Sequence, residues 1–372
     1  MPRIRPFVHE DITQVASLHR RVFDVGGKAE RELISKKLIE SYTRYFDNII
    51  LDNPWRDSTI SSLVYENESG RITGFLGVMP RQMMMDGRSI SVALSSQFVV
   101  EQESRSSGVG IRLLQAFLAG PQELSLTDEA NHTSRRLWEA LGGTTALAYS
   151  FNWTRLLRPS EYVASQIQRL IPFAPVSALT RPFVRGIDRI LVKKYPQRFQ
   201  QIMPNLIEKE LTIDLFLENY QGLIDGRRLQ PEYDMQSLQW LSNVISHNKE
   251  LGSLRKVALY KQNNDLAGWY MYLLKPGGKS SLIQLLAKKN VASEVLDHLF
   301  HDALLHGSNA ITGRLDPQHS LILAEKYCTF ACGTPWMLIH SHNKDLIQSI
   351  CLGEALLTGL EGEFCMRFVP YS

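Results

Sequence analysis

The 372-residue chain reads as an α/β (α+β) protein of two lobes joined by a connector, and three observations lead there. Its length exceeds what one hydrophobic core ordinarily organises. Hydrophobic residues at 44% and charged residues at 21% give the balance of a soluble globular chain. Helical and strand-like periodicities alternate through the first 155 residues, and a similar order of elements returns from residue 208 onward. A formal charge of +3 is too small for nucleic-acid binding across the whole surface, so no DNA partner is expected. Met1-Pro2-Arg3-Ile4-Arg5-Pro6 lacks the apolar core of a signal peptide, and no apolar run reaches membrane-spanning length. A cytoplasmic address is the expectation. The cysteines, at 328, 332, 351 and 365, fit neither a disulfide framework nor a paired Cys-x-x-Cys zinc site.

In the first lobe (1–155), Ile12, Val15, Ala16, Leu18 and Val22 recur at helical spacing between Asp11 and Phe23. A second helix is expected from Glu30 to Phe46 on Leu33, Ile34, Leu38, Ile39 and Tyr42. Strands follow at 58–65, 71–79 and 89–101, with Asp86-Gly87 as the turn before the third. A glycine-containing loop, a helix at 109–119, a strand at 123–126, a helix at 131–141 and a strand pair through Trp153 complete the lobe.

Between 156 and 207, five prolines after Pro159 (172, 175, 182, 196 and 204) forbid one long helix. From Pro159 to Ile207, seven basic residues stand against two acidic ones, a local charge of +5. The segment reads as a connector of short amphipathic helices, either a solvated basic face packed between lobes or a contact for a membrane surface or anionic polymer. From 208 to 372 come a helix at 232–247, strands at 257–260, 268–274 and 281–287, a helix at 292–306, a short strand near Ala310, a helix at 321–327 and a strand at 336–339.

The chemistry lies between the strand ending at Val100 and the helix beginning at Val109, in Arg105-Ser106-Ser107-Gly108-Val109-Gly110. Such a loop turns consecutive backbone N–H groups toward one point at the positive end of a helix dipole. Glycines at 108 and 110 let the backbone approach a bulky anion. Each N–H bond to a charged phosphate oxygen contributes about 1.5–3 kcal/mol. A Walker loop would need Gly-Lys-Ser/Thr, and a dinucleotide loop a third glycine where Leu113 stands.

With Arg-x-x-Gly-x-Gly at 105–110 and Asn131-His132-Thr133-Ser134-Arg135-Arg136-Leu137-Trp138 following the next short strand, residues 1–155 resemble the GNAT family of acyl-CoA-dependent N-acyltransferases. The resemblance implies lobes built on a mixed, mostly antiparallel sheet flanked by helices, with a V-shaped gap where the strand ending at Val100 parts from the one starting near Glu123. It implies acetyl-CoA or another acyl-CoA as co-substrate and an amine-bearing acceptor, with no metal. Backbone groups of Phe98, Val99 and Val100 would pair with pantetheine, the amides of Arg105, Ser106, Ser107, Gly108, Val109 and Gly110 would hold the pyrophosphate, and Asn131 and Ser134 would line the acyl side. Many relatives carry an acidic Tyr where this chain has Trp138, which reads as core, so the general acid and base stay unassigned. Glu101 and Tyr149 are the nearest candidates, beside Glu103, Asp128 and Glu129 near the loop ends; the carboxylates also read as solvated surface and Tyr149 as a packed strand residue.

The second lobe resembles a degenerate copy: Ala287-Lys288-Lys289-Asn290-Val291-Ala292-Ser293 stands at the loop position without glycine. It is expected to bind no CoA and to shape the acceptor site, a layout that also resembles peptidoglycan aminoacyl transferases. Three functions follow: transfer of an acetyl or other acyl group to a primary amine of a small molecule, amino sugar or protein; a CoA-binding module without turnover; or an aminoacyl transferase docking tRNA on the basic connector. His298 with His301, His340 with His342, Cys328 with Cys332, and the aromatic run 269–272 read as structural.

Overall fold

The computed structural model describes residues 2–23, 36–170, 181–224, 226–247 and 249–367. The part of the second expected helix before Lys36 lies outside these residues. In chain order the first half supplies β1 (Arg3–Pro6), α1 (Ile12–Phe23), α2 (Lys36–Phe46), β2 (Leu63–Glu66), β3 (Ile72–Met85), β4 (Arg88–Val100), α3 (Gln102–Arg105), α4 (Val109–Leu118), β5 (Leu124–Ala130), α5 (His132–Ala140), β6 (Thr144–Thr145) and β7 (Phe151–Leu156). The connector forms α6 (Pro159–Leu170), α7 (Arg181–Lys194) and α8 (Pro196–Phe199). The second half supplies β8 (Ile207–Glu210), α9 (Ile213–Leu223), β9 (Leu229–Pro231), α10 (Met235–His247), β10 (Ser253–Tyr260), β11 (Leu266–Leu274), β12 (Lys279–Ala287), α11 (Ala292–Leu305), β13 (Ala310–Arg314), α12 (Ser320–Glu325), β14 (Thr329–Cys332), β15 (Trp336–His340) and α13 (Lys344–Cys351).

β3 is buried along nearly its whole length because both faces are covered: Phe75 and Met79 share one core with α1, α2 and the second half of the chain, while Leu76 and Val78 pack against α4 and α5. It turns into β4 through Asp86 and Gly87, both at positive φ (50° and 82°), the backbone that a tight hairpin of this hand requires. Two mixed sheets result, and the strands do not stay with their halves of the chain. The first runs β1-β2-β3-β4-β5-β15-β6, with β9 also on β3; the second runs β14-β7-β13-β12-β11-β10-β8. The strand through Trp153, read from sequence as closing the first lobe, therefore lies in the second sheet, while the strand at 336–340 lies between β5 and β6 in the first. The line at residue 155 runs through β7. One apolar core spans both sheets, with Val15, Phe75 and Met79 in the same cluster as Leu238, Trp269, Met337 and Leu356.

The sheets repeat one feature. β4 and β5 are parallel neighbours over three pairs only, Val92–Leu124, Ala93–Ser125 and Leu94–Leu126. Beyond them β5 turns to β15 and the end of β4 keeps only β3, which opens the expected gap. β12 and β13 likewise pair at Lys279–Ala310, Ser280–Ile311 and Ser281–Thr312 and then part. A C-terminal segment crosses both openings: Gly359 donates its N–H to Ile283 O on β12 (2.8 Å), and Glu363 donates its N–H to Asp128 Oδ1 on β5 (2.9 Å).

Candidate functional site

At the end of β4 the chain makes a single turn of helix, α3, and enters α4 through Gly108, whose left-handed backbone (φ 74°, ψ 18°) sets the direction of the amides that follow. Gly108 N–H donates to Arg105 O (3.3 Å), and Gly108 O accepts from Arg112 N–H (3.1 Å). Among the described residues, the amides of Ser106, Ser107, Val109, Gly110 and Ile111 donate to no backbone carbonyl. They are the orphan donors of a helix start, enriched by two from the turn before it. Arg105, Ser106 and Ser107 are exposed at this mouth, with the Ser107 hydroxyl donating to Ser104 O (2.8 Å). No atom lies within 4 Å of where a Gly108 Cβ would stand, whereas one on Gly110 would touch the Phe98 ring at 3.5 Å and Val100 at 3.6 Å. Val99, Val100 and Val109 are buried. The Val100 carbonyl accepts from Arg105 Nε (3.3 Å). Asn131 caps α5 through Oδ1, which accepts from Ser134 N–H (2.9 Å).

Inside the gap the sequence reading missed the main feature. β4 carries a bulge opposite Leu76, and Gln97 there has φ 49°. The bulge turns Gln97 N–H out of the ladder toward Glu363 Oε1 (3.3 Å). Glu363 keeps some surface open, yet its carboxyl is enclosed by protein, and burial, reinforced by the charges of Asp128 and Glu129, pushes its pKa up to about 8. Its neighbour Glu361 is raised to about 7, chiefly by burial, while accepting from Thr358 N–H (2.8 Å), Thr358 Oγ1 (2.6 Å) and Tyr233 OH. His19, whose ring meets the Gln97 backbone, is lowered to about 4 by burial and is neutral near pH 7. Asp128 holds the segment in place: Oδ1 takes Glu363 N–H, and Oδ2 takes Arg314 Nη2 (2.8 Å). Arg81 is buried beneath the segment between Trp55 and Trp240, 5.0 and 5.5 Å from the ring centres, with Nη2 on the Met366 sulfur (2.6 Å). The one sequence signal for this cluster was acidic residues flanking a glycine, Glu361-Gly362-Glu363, inside an otherwise apolar run.

The two residues first considered for acid or base work are employed elsewhere. Glu101 is buried in ion pairs with Arg71 and Arg21, the latter at 3.0 Å. Tyr149 is a core residue whose hydroxyl donates to Ala355 O (2.6 Å) and accepts from Ala355 N–H (3.2 Å); burial raises its pKa further from use. Trp138 is buried against Phe117. In the second lobe, Lys289–Val291 forms a tight turn in which Val291 N–H donates to Lys288 O, and α11 starts from Val291 (φ −130°) with no left-handed glycine to aim its first amides. The second opening retains a cavity of about 40 Å³ lined by Trp153, Gln284, Arg314, Asp316, His319 and Thr358, among others. Arg314 Nη1 is buried there without a hydrogen-bond partner. Trp269, Tyr270 and Tyr272 are buried on both faces of β11, and His298 bonds Tyr270 OH (2.9 Å).

A sheet that splays beside a bulged strand, with a glycine-opened helix start at the mouth of the splay, makes a GNAT-like fold. Among solved structures it is similar to a GCN5-related N-acetyltransferase from Anabaena variabilis (TM-score 0.58, 14% identity, 92% of this chain and 73% of that one). A GCN5-related N-acetyltransferase from Kribbella flavida matches at TM-score 0.53 and 13% identity over 91% of this chain and 70% of that one. A conserved protein of unknown function from Enterococcus faecalis matches at 0.55 and 11% over 92% and 73%. No family model and no curated protein matches the sequence. At these identities the likeness is one of fold.

Proposed function

We propose that this protein is an N-acyltransferase that moves an acetyl or other acyl group from acyl-CoA to a primary amine, on a small molecule, an amino sugar or a protein. The observation that carries the reading is the pairing, across one cleft, of five unengaged amides at 106–111 with a bulge amide that already holds a carboxyl oxygen. In this reading the pyrophosphate takes the loop amides and the thioester carbonyl replaces Glu363 on Gln97 N–H, which then stabilises the oxyanion. A free amine has a pKa near 10 and arrives protonated. Glu363, with its pKa near 8, takes that proton as carboxylate; nitrogen bonds to the acyl carbon and yields its second proton to water, the C–S bond breaks as the carbonyl re-forms, and the thiolate recovers a proton from Glu363 or water. The cavity beside Arg314 and Thr358, one residue from Asp128, suits the acceptor's far end.

The same Glu363–Gln97 contact favours a second reading, in which the C-terminal segment blocks the carbonyl's place and the protein retains CoA without turnover. Thiol release from acetyl-CoA over a panel of amines separates the two. The enzyme reading expects acceptor-dependent release that falls about 10²–10⁴-fold in Glu363→Gln with CoA affinity kept. Tight CoA binding without release for any acceptor supports the module.

A further inference from the structure

We propose that the connector's helices α6 and α7 and the α8 turn form a docking face for an anionic lipid surface. α6 and α7 pack against each other. Asp188 closes them together by accepting Ser160 N–H (2.8 Å) and Glu161 N–H (3.3 Å), so one of the connector's two acidic residues is spent internally. The apolar residues of these elements are not all turned inward. Val163 and Ile167 share one face of α6, Ile187 and Ile190 one face of α7, and all four are exposed, Ile190 to 65%. Ile202 and Met203, just past α8, are exposed to 68% and 58%. A soluble surface seldom gathers aliphatic side chains this way unless something covers them.

The charges around them choose the occupant. Arg189, Lys193, Lys194 and Arg198 are exposed on the same elements. Isoleucines set among lysines and arginines on short helices are the pattern of a helix lying in a headgroup layer, apolar side chains in the acyl boundary and cations on the phosphates. A nucleic acid would meet the same cations, yet its backbone gives aliphatic side chains nothing to bury against. The helices have 12 and 14 residues, short of the ~20 needed to span a bilayer. Among the described residues, no helix is long and apolar enough to cross a membrane. The face lies on the surface.

The test is co-sedimentation of the full chain with phosphatidylcholine vesicles containing about one third phosphatidylserine, against pure phosphatidylcholine vesicles, at low and high salt. Binding to the mixed vesicles is expected, weakened at high salt and on the pure vesicles. It should fall at least about tenfold in Ile187→Ser with Ile190→Asp, and again in Lys193→Glu with Lys194→Glu. All four side chains are exposed, so unchanged thermal midpoint and CoA affinity in these variants would show that the fold and the acyl site are intact. Absence of binding to mixed vesicles at low salt overturns the proposal. So does vesicle binding indifferent to both double variants, or RNA binding that outcompetes the vesicles and survives Ile190→Asp.

Discussion

Glu363 sits between two demands: its carboxyl is enclosed, which favours the proton, and one oxygen accepts Gln97 N–H, which favours the charge. Burial dominates, with a consequence for stability. The unfolded chain releases this proton near pH 4.5 and the native protein near 8, so over that interval the native state holds the extra proton and stability declines as pH rises. Glu361 acts in the same sense up to about 7. His19 acts oppositely, but only below 6.5, because its native pKa near 4 lies under that of the unfolded chain. Urea midpoints from pH 6.5 to 8 should therefore fall in the wild type and fall less in Glu363→Gln; a rise across that interval would contradict the assignment. At this scale Arg105, Gly108 and Gly110 were legible, because a phosphate loop is written in a few adjacent residues. Glu363 was not, because its role depends on where the turn Glu363–Met366 is packed, more than 260 residues away from Gln97.

The C-terminal segment acts as one element across both splays, and Gly362 is its tightest point. A Cβ there would stand 2.0 Å from Asp128 Oδ2, an oxygen already held by Arg314. Gly362→Ala must move either Asp128 or the segment, and with it Glu363. The account expects turnover to fall at least about tenfold while CoA affinity stays, because loop 105–111 is untouched. Unchanged turnover measured by thiol release would remove Glu363 from the mechanism. Most helices and strands were readable from their apolar spacing, as in α1, α4 and β11. β1 was missed because four residues with two arginines carry no period. The bulge at Gln97 was missed too, since nothing in Ser95-Ser96-Gln97-Phe98 marks a positive φ.

Across the whole molecule, the exchange of β7 and β15 between the sheets ties the halves into one core, so neither half contains its complete sheet. Sequence order concealed this, because a strand's periodicity specifies which faces it buries and not which neighbour it joins. What distinguishes the lobes is legible: a left-handed glycine at 108 opens one helix start, while the other begins at Val291 without one. Calorimetric titration of the full chain with CoA tests the central claim most directly. The account predicts one site per chain, abolished in Gly108→Asp, whose new carboxylate would point into open space at the loop and repel the pyrophosphate. Two sites per chain, or undiminished affinity in that variant, would contradict it.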